Sequence, residues 1–218
     1  MGALSSAVLD TASGATHERY SELSEGHAEG LLPMIAEVMA EAGLYASALD
    51  RIVVTIGPGT FTGTRTGLAA ARGMSIAVGV PVVGLSSLAA IAASGPENAV
   101  VAMDARRGEL FFQIPGSDRG PELLSINAAV SQLLALGGRA ICVIGTGAAA
   151  LIDACRDAGL TITAASRHVA GPRASDFVFL GEHLPLSSRP PSPLYLREPD
   201  AKPPGALADI LVQPGFTV

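Results

Sequence analysis

The chain has 218 residues, enough for one large domain or two small ones, and its 4% aromatic content without Trp predicts a core of Ala, Val, Leu and Ile. Its formal net charge of −6 leaves no basic surface for tight autonomous binding of nucleic acid. Its two cysteines are too few for a disulfide framework, and we find no signal-peptide pattern or long apolar run, so a reduced cytoplasmic location without membrane attachment is expected.

The first strongly periodic segment predicts an amphipathic helix that begins at His27. Its apolar residues follow the i, i+3, i+4 spacing of one helix face, and Gly43 is a natural helix stop. Pro33 is tolerated because it falls in the first turns. The apolar positions are Leu31, Leu32, Ile35, Val38, Met39 and Ala42.

A turn rich in glycine and hydroxyl residues, 57–67, follows a predicted strand at 51–56 and precedes a small-residue helix that runs from about Gly67 to Gly79. A strand, a tight turn and a helix N-terminus form a backbone suited to holding an anion. A P-loop is excluded, because Gly63 is followed by Thr64 and Arg65 rather than by a lysine and a hydroxyl residue.

A dinucleotide fingerprint is also excluded, because the spacing from Gly59 to Gly63 is one residue too long. Two interpretations of the turn stay open. It is either a structural turn with close helix packing, or an anion site in which Arg65 is the one candidate functional side chain.

Small residues recur at every fourth position of the following helix, at Gly63, Gly67, Ala71, Ser75 and Gly79. Glycine in a helix costs about 1 kcal/mol relative to alanine, so the stripe predicts that another backbone approaches closely. The spacing does not distinguish a neighbour in the same chain from one in a partner.

The rest of the chain alternates predicted strands and helices, which favours an α/β fold with helices packed on a sheet. The strands are expected at 80–85, 99–104, 110–114 and 140–144, and the helices at about 87–93, 128–136, 148–159 and 174–184. The two strands on either side of residue 107 form a predicted hairpin. Residues 198–218 are predicted to be a mobile tail.

Two turns carry further candidate residues. The hairpin tip contains Asp104, Arg106, Arg107 and Glu109, which could contact a nucleotide or a partner, or form an ion-paired tip that contributes little. Gly145 and Gly147 follow a predicted strand, where they could approach a nucleotide or form a plain strand-to-helix turn.

Several strings together resemble the bacterial TsaB/YeaZ family of tRNA threonylcarbamoyladenosine biosynthesis proteins. They are the glycine turn 57–67, the hairpin tip Asp104-Ala-Arg-Arg-Gly-Glu109, Leu194-Tyr-Leu-Arg197, His27-Ala-Glu-Gly-Leu-Leu-Pro-Met34 and Gly145-Thr-Gly147. The similarity runs from about Ser5 to Pro204. It implies the actin-like ATPase fold of sugar kinases, Hsp70 and actin, with two similar α/β lobes at 1–98 and 99–204 and a tail at 205–218.

The resemblance implies a scaffold without catalytic residues of its own. It implies pairing with a catalytic paralog, TsaD, which transfers a threonylcarbamoyl group to the tRNA adenosine beside the anticodon, and with the ATPase TsaE. The chain is expected to form a homodimer when the paralog is absent and to reach tRNA only through the complex. No cofactor is expected on the chain itself, with ATP or ADP at the level of the complex.

The same resemblance assigns the partner interface to the helices at 27–43 and 63–79. Its expected residues are Leu31, Leu32, Ile35, Met39, Gly63, Gly67, Ala71 and Ser75. A two-histidine metal site in the catalytic paralog corresponds here to Ser87 and Ile91, and isoleucine offers no donor atom, so no metal is expected.

The N-terminus departs from the family pattern, because Asp10-Thr11 lies only 17 residues before His27. One β element of the family is therefore expected to be missing, with Ser5 to Asp10 matching the family's second strand. Two other functions stay open. The chain could act on its own as an ATP hydrolase or glycoprotease-like peptidase, or it could be a homodimer with an unrelated binding role.

Overall fold

The strands and helices alternate along most of the chain in a computed structural model that describes residues 2–23, 27–137, 142–162, 171–187 and 189–197. The strands are β1 Gly2–Leu9, β2 Thr16–Leu23, β3 Ile52–Thr55, β4 Val82–Leu85, β5 Val100–Asp104, β6 Glu109–Gln113, β7 Glu122–Ser125 and β8 Val143–Ile144. The α-helices are α1 His27–Glu41, α2 Phe61–Val78, α3 Ser87–Ala92, α4 Ile126–Ala135, α5 Ala148–Asp157 and α6 Ala174–Phe177. Short 3-10 helices occupy Ala46–Ala48 and Val178–Glu182.

The strands form three sheets within the described residues. β1 and β2 make an antiparallel hairpin in which Leu4 faces Ser21, and β3 pairs with β4 in parallel with Ile52 opposite Val82. The third sheet has the order β7-β6-β5-β8, with β8 parallel to β5 and the other pairs antiparallel.

In the N-terminal half, one helix covers each two-stranded sheet. Helix α1 packs on β1 through Val8 and Val38, and helix α2 packs on β3 through Val54 and Leu68. In the C-terminal half, Phe112 of β6 is fully buried in a core formed with α4 and α5. Most of the buried apolar side chains are Ala, Val, Leu and Ile, as the composition predicts, with Phe112, Phe177 and Met39 as larger members.

The chain returns to the N-terminal half after α5. Ala174 and Phe177 of α6 share a core cluster with Leu85 of β4, and Arg51 donates hydrogen bonds to the carbonyl oxygens of Gly181 and, at 3.2 Å, of Leu184. A segment of the predicted lobe 99–204 therefore packs on the N-terminal strands, and the division at residue 98 stays a prediction. The predicted tail 205–218 lies outside the described residues.

A partly buried carboxylate joins the N-terminal hairpin to α6. Glu18 of β2 accepts hydrogen bonds from Arg173 at 2.5 Å, from the backbone N–H of Ser175 at 3.1 Å and from the hydroxyl of Ser5 at 3.1 Å. Burial alone would raise the pKa of Glu18, but these hydrogen bonds outweigh it and hold the pKa below its usual value. Arg173 also lies over the ring of Tyr20, 4.7 Å from its centre.

Most predicted elements are confirmed, and the differences have local causes. Helix α2 begins at Phe61, six residues before the predicted start, because the side chain of Thr60 caps it by accepting a hydrogen bond from the N–H of Gly63 at 3.2 Å. Gly79 ends this helix with φ of 75°. The predicted helix at 174–184 is shorter than expected, since α6 ends at Phe177 and a 3-10 helix follows.

The described residues before α1 form one antiparallel hairpin. Residues 10 and 11 lie in the turn of the β1–β2 hairpin, and no strand of the described residues joins β1 to β3. Strand β7 was missed, because Pro121 and the polar residues before it predict a loop. None of the described helices combines the length and apolar character needed to cross a lipid bilayer.

Candidate partner-binding surface

The glycine turn after β3 holds another segment of the same chain. We call residues 189–197 the strap. The N–H of Leu194 in the strap donates to the carbonyl of Ile56 at 2.8 Å, and the N–H of Ser87 donates to the carbonyl of Gly57 at 2.7 Å. Gly57 has φ of 102°, and a Cβ there would lie 2.9 Å from the carbonyl oxygen of Leu194. The geometry therefore favours the structural interpretation of this turn.

The small-residue stripe of α2 faces the interior of the chain. Ala71 is only 5% exposed and belongs to a core cluster with Val54 and Leu68, and a Cβ at Gly67 would lie 3.7 Å from the side chain of Val54. The hydroxyl of Ser75 donates to the carbonyl of Val80 at 2.6 Å. The close approach at Gly67, Ala71 and Ser75 is therefore made within the chain, and a partner contact at these three residues stays a prediction.

The reason lies in helix geometry. Residues four apart are offset by about 40° around the helix, so a stripe from Gly63 to Gly79 winds across the helix instead of following one line. Gly63 itself is exposed beside the turn, while Ala71 in the middle of the stripe faces β3.

Helix α1 presents fewer apolar side chains than predicted. Met39 is buried beside Val38, Ile35 is partly buried against the same cluster, and Leu31 is also buried. Of the four predicted α1 residues, Leu32 alone is largely exposed, at 58%. Pairing through α1 stays a prediction. The apolar part of α1 that is accessible to a partner is the surface beside Leu32.

The exposed side of α2 carries small and apolar residues of its own. Thr62, Ala69, Gly73 and Ile76 follow the spacing of one face, which we call the outward face, and Ile76 is 86% exposed. Between this face and α1 lies a shallow apolar groove of about 570 Å³. Residues that line this α1–α2 groove include Leu31, Leu32, Thr66, Ala69, Gly73 and Ala77.

An aromatic and arginine cluster stands at the N-terminal end of α2. The rings of Phe61 and Tyr195 stack with centroids 5.8 Å apart and planes 19° apart, although they are 54% and 47% exposed. The guanidinium carbon of Arg65 lies 3.7 Å from the Phe61 ring centre, and its Nε donates to the Tyr195 hydroxyl at 2.8 Å. No sequence pattern indicates this cluster, because 130 residues separate Arg65 from Tyr195.

The hairpin tip between β5 and β6 is tied to the strap. Arg197 donates to the carbonyl of Ala105 at 2.8 Å and pairs with the carboxylate of Glu109. The N–H of Arg106 donates to the carboxylate of Asp104 at 2.8 Å, and Arg106 and Arg107 both have positive φ. Glu109 therefore forms an ion pair with Arg197. Binding of a nucleotide or a partner by the hairpin tip stays a prediction.

The predicted turn at 145–147 packs against the end of β5. A Cβ at Gly145 would overlap the carbonyl oxygen of Ala102, and one at Gly147 would lie 3.1 Å from the nitrogen of Asp104. The hydroxyl of Thr146 accepts from that same N–H at 2.9 Å. Close packing against β5 thus explains why glycine occupies both positions. Contact of this turn with a nucleotide stays a prediction.

The described residues contain no group of three or more His, Cys, Asp or Glu side chains placed to hold a metal ion. Ser87 and Ile91, which correspond to the metal ligands of the paralog, lie on α3, and both are buried. Ile91 packs with Leu88 and Val101 in an apolar cluster. The side chain of Ile91 is therefore part of the apolar core and has no donor atom for a metal ion.

Comparison with known proteins gives consistent matches. The family model TsaD: tRNA N6-adenosine threonylcarbamoyltransferase matches residues 17–186. An uncharacterized protein of Mycobacterium tuberculosis is 33% identical over 187 residues, which make up 85% of this chain and 82% of the relative. The tRNA threonylcarbamoyladenosine biosynthesis protein TsaB of Escherichia coli is 26% identical over 202 residues, or 84% of this chain and 86% of that protein.

A solved structure from Pseudomonas aeruginosa, described as an uncharacterized protein with similarity to peptidase YEAZ, has the same fold. Its TM-score is 0.73 at 24% identity, and the match covers 89% of this chain and 94% of that one. The chain therefore belongs to the TsaD family as a TsaB/YeaZ-like member, with the α/β fold of actin-like ATPases.

Proposed function

We propose that the chain takes part in the biosynthesis of threonylcarbamoyladenosine in tRNA as a non-catalytic subunit that pairs with a TsaD-like catalytic paralog. The family membership supports the pathway. The observation that carries the pairing is the apolar surface formed by the α1–α2 groove and the outward face of α2. Ile76 and Leu32 are exposed apolar side chains beside a helix surface formed by the small residues Ala69 and Gly73. Such a surface is typical of one that a second protein covers.

The groove is suited to close packing of a helix. Gly73 and Ala69 place little side chain between α2 and solvent, so a partner backbone can approach, while Leu32 and Ile76 offer apolar side chains at the borders. A stable pair would have to bury about 800 Å² on each partner, which is more than the groove alone, so the outward face is included in the proposed interface.

The subunit is proposed to be non-catalytic because the two positions that match the paralog's metal ligands are a serine and an apolar isoleucine, with no imidazole or carboxylate. Ile91 is fully buried among hydrocarbon side chains, and a charged ion there would be desolvated without ligands. The proposal extends to the assembly: a TsaE-like ATPase joins the pair, ATP or ADP acts in the complex, and tRNA is contacted through the complex. Without the paralog, the same helices would pair two copies of this chain.

The test combines pairing with tRNA modification. The purified chain is titrated with the TsaD-like paralog of the same organism, and threonylcarbamoyladenosine is measured by mass spectrometry in tRNA from cells depleted of the chain. Ala69→Asp places an unpaired charge in the groove and is expected to weaken pairing by about 30-fold or more and to abolish rescue of the modification. Ala150→Asp, an exposed alanine of α5, is the matched control and should leave both unchanged.

Two results would contradict the proposal. Normal modification in depleted cells would remove the pathway role. Turnover of ATP or of a protein substrate by the chain alone, lost in Asp104→Ala, would instead support an independent hydrolase or peptidase.

A further inference from the structure

Arg65 is held in one position by contacts on several sides. Its guanidinium lies on the Phe61 ring, and its Nε is engaged by the Tyr195 hydroxyl. These contacts restrict a side chain that otherwise has many rotamers, so little conformational entropy remains to be lost when Arg65 binds a ligand.

The strap fixes the position of Tyr195 as well. On one side Leu194 is hydrogen-bonded to the end of β3, and two residues further on Arg197 is anchored to Ala105 and Glu109. Tyr195 is therefore a rigid support for Arg65 although its ring is about half exposed.

Within the described part of the chain, the Nη1 and Nη2 groups of Arg65 form no hydrogen bond or ion pair. Its one hydrogen bond there comes from Nε, and none of the described carboxylates forms an ion pair with it. The exposed guanidinium thus offers the donors of Nη1 and Nη2, a fork that matches the two oxygens of a carboxylate.

Arg65 also borders the surface proposed for pairing. Ala69 is four residues further along α2, about 40° around the helix, and lies both on the outward face and at the edge of the groove. A protein that covers the groove and the outward face would reach Arg65 at the N-terminal end of α2.

The geometry points to Arg65 as the polar anchor of the interface, where its Nη groups bind an acidic side chain of the catalytic paralog while Phe61 and Tyr195 exclude water around the pair. This inference rests on the proposed function and adds the chemistry of the partner's contact residue. A carboxylate on a protein is favoured over a nucleic-acid phosphate, because the chain is acidic overall and tight phosphate-backbone binding needs several basic groups. Arginine and tyrosine are also among the residues enriched at interface hot spots.

The test measures the dissociation constant of the complex between the full chain and its TsaD-like paralog at two salt concentrations. Arg65→Gln removes the charge and is expected to weaken binding by about 30-fold or more. Wild-type binding should weaken between roughly 50 and 300 mM salt, and the Arg65→Gln complex should be much less sensitive. Arg156→Gln, an exposed arginine of α5, is the control and should behave as wild type.

Arg65→Lys keeps the charge without the planar fork, so a loss about 3- to 10-fold in affinity is expected even if the glutamine variant folds poorly. Wild-type affinity and salt response in both Arg65 variants, together with loss of pairing in Ala69→Asp, would overturn the anchor and leave the proposed function intact. Loss of tRNA binding with unchanged pairing would also overturn it, in favour of a phosphate contact. If the wild-type chain does not bind the paralog, both proposals fall.

Discussion

Gly57 and Gly73 show how differently two glycines are used in this chain. Gly57 is buried with positive φ, and a Cβ there would press on the carbonyl oxygen of Leu194 in the strap. Gly73 lies within α2, and an added Cβ would meet nothing within 4 Å. One glycine is required by the packing of its own chain, and the other is required by nothing in the described structure.

Alanine substitutions should therefore have opposite effects on the free energy of unfolding. Gly57→Ala is expected to lower it by about 2 kcal/mol or more, because the side chain strains the backbone and displaces the strap. Gly73→Ala is expected to raise it by about 0.5 to 1 kcal/mol through helix propensity. Urea unfolding followed by circular dichroism measures both, and equal stability of the two variants would contradict this account.

If Gly73→Ala stabilises the chain but weakens binding to the paralog, the glycine is retained for pairing. That outcome would separate a requirement of the fold from a requirement of the interface at a single position.

At the scale of elements, the carboxylate of Glu18 is central to the polar attachment of the N-terminal hairpin to α6, beside the hydroxyl of Ser5, which accepts from the N–H of Ala174 at 2.9 Å. Glu18 is held there by Arg173, Ser175 and Ser5, and hydrogen bonds to a charged group contribute more than neutral ones. Because its pKa is lowered from 4.5 in the folded state, its contribution to stability is present above that value. The contribution is lost as the pH falls through the folded pKa.

Glu18→Gln should consequently lower the free energy of unfolding by about 1 to 3 kcal/mol near pH 7. The difference from wild type should stay constant down to about pH 5.5 and shrink at lower pH, where wild-type Glu18 also becomes neutral. Unfolding curves from pH 3 to 7 measure this, with the exposed Glu97→Gln as a control. A difference that does not change with pH would show that the charge of Glu18 is not the cause.

The elements predicted from sequence are those whose signals are local. Thr60 and Ser86 cap α2 and α3, and Gly79 ends α2, so these boundaries depend on neighbouring residues. The short β7 was missed because Pro121 and the polar residues before it predict a loop. Its pairing with β6 depends on the fold and leaves no pattern in the sequence. Periodicity identified α2 as a helix, but it could not tell which of its two small-residue faces would meet β3.

The residues of the candidate site were harder to predict from sequence than the helices and strands. Small residues cover both the buried stripe around Ala71 and the outward face around Gly73, so composition alone could not separate them. The stacking of Phe61 on Tyr195 depends on the path of the strap, which only the fold reveals. Resemblance pointed to α1 and α2 for the proposed interface, and the structure shows which residues of these helices face outward.

At the scale of the whole molecule, the strap connects both halves. It contacts α2 where Arg72 donates to the carbonyl of Pro191 at 2.6 Å, the end of β3 through Leu194, and the β5–β6 tip through Arg197. A Cβ at Gly84 would lie 2.7 Å from the side chain of Pro191, so β4 is also fitted closely against the strap. The aromatic support of Arg65 thus depends on contacts made in the C-terminal half.

Arg197→Ala should loosen this connection. Its guanidinium pairs with Glu109 and satisfies the carbonyl of the buried Ala105, and leaving that oxygen without a partner costs about 1 to 3 kcal/mol. We expect lower stability together with faster hydrogen exchange at the amide of Leu194, because the strap is released at one end. If Arg65 is the polar anchor, binding to the paralog should weaken too, although Arg197 lies outside the proposed interface.

A matched variant separates this effect from the general loss of a surface charge. Arg119→Ala removes an ion pair with Glu122 that is three residues away on the surface, and such pairs contribute about 0 to 1 kcal/mol. Exchange at Leu194 should be unchanged in Arg119→Ala and faster in Arg197→Ala. Equal exchange in the two variants would mean that the contacts of the strap with α2, β3 and β4 hold it without Arg197, and the position of Tyr195 would then not depend on the β5–β6 tip.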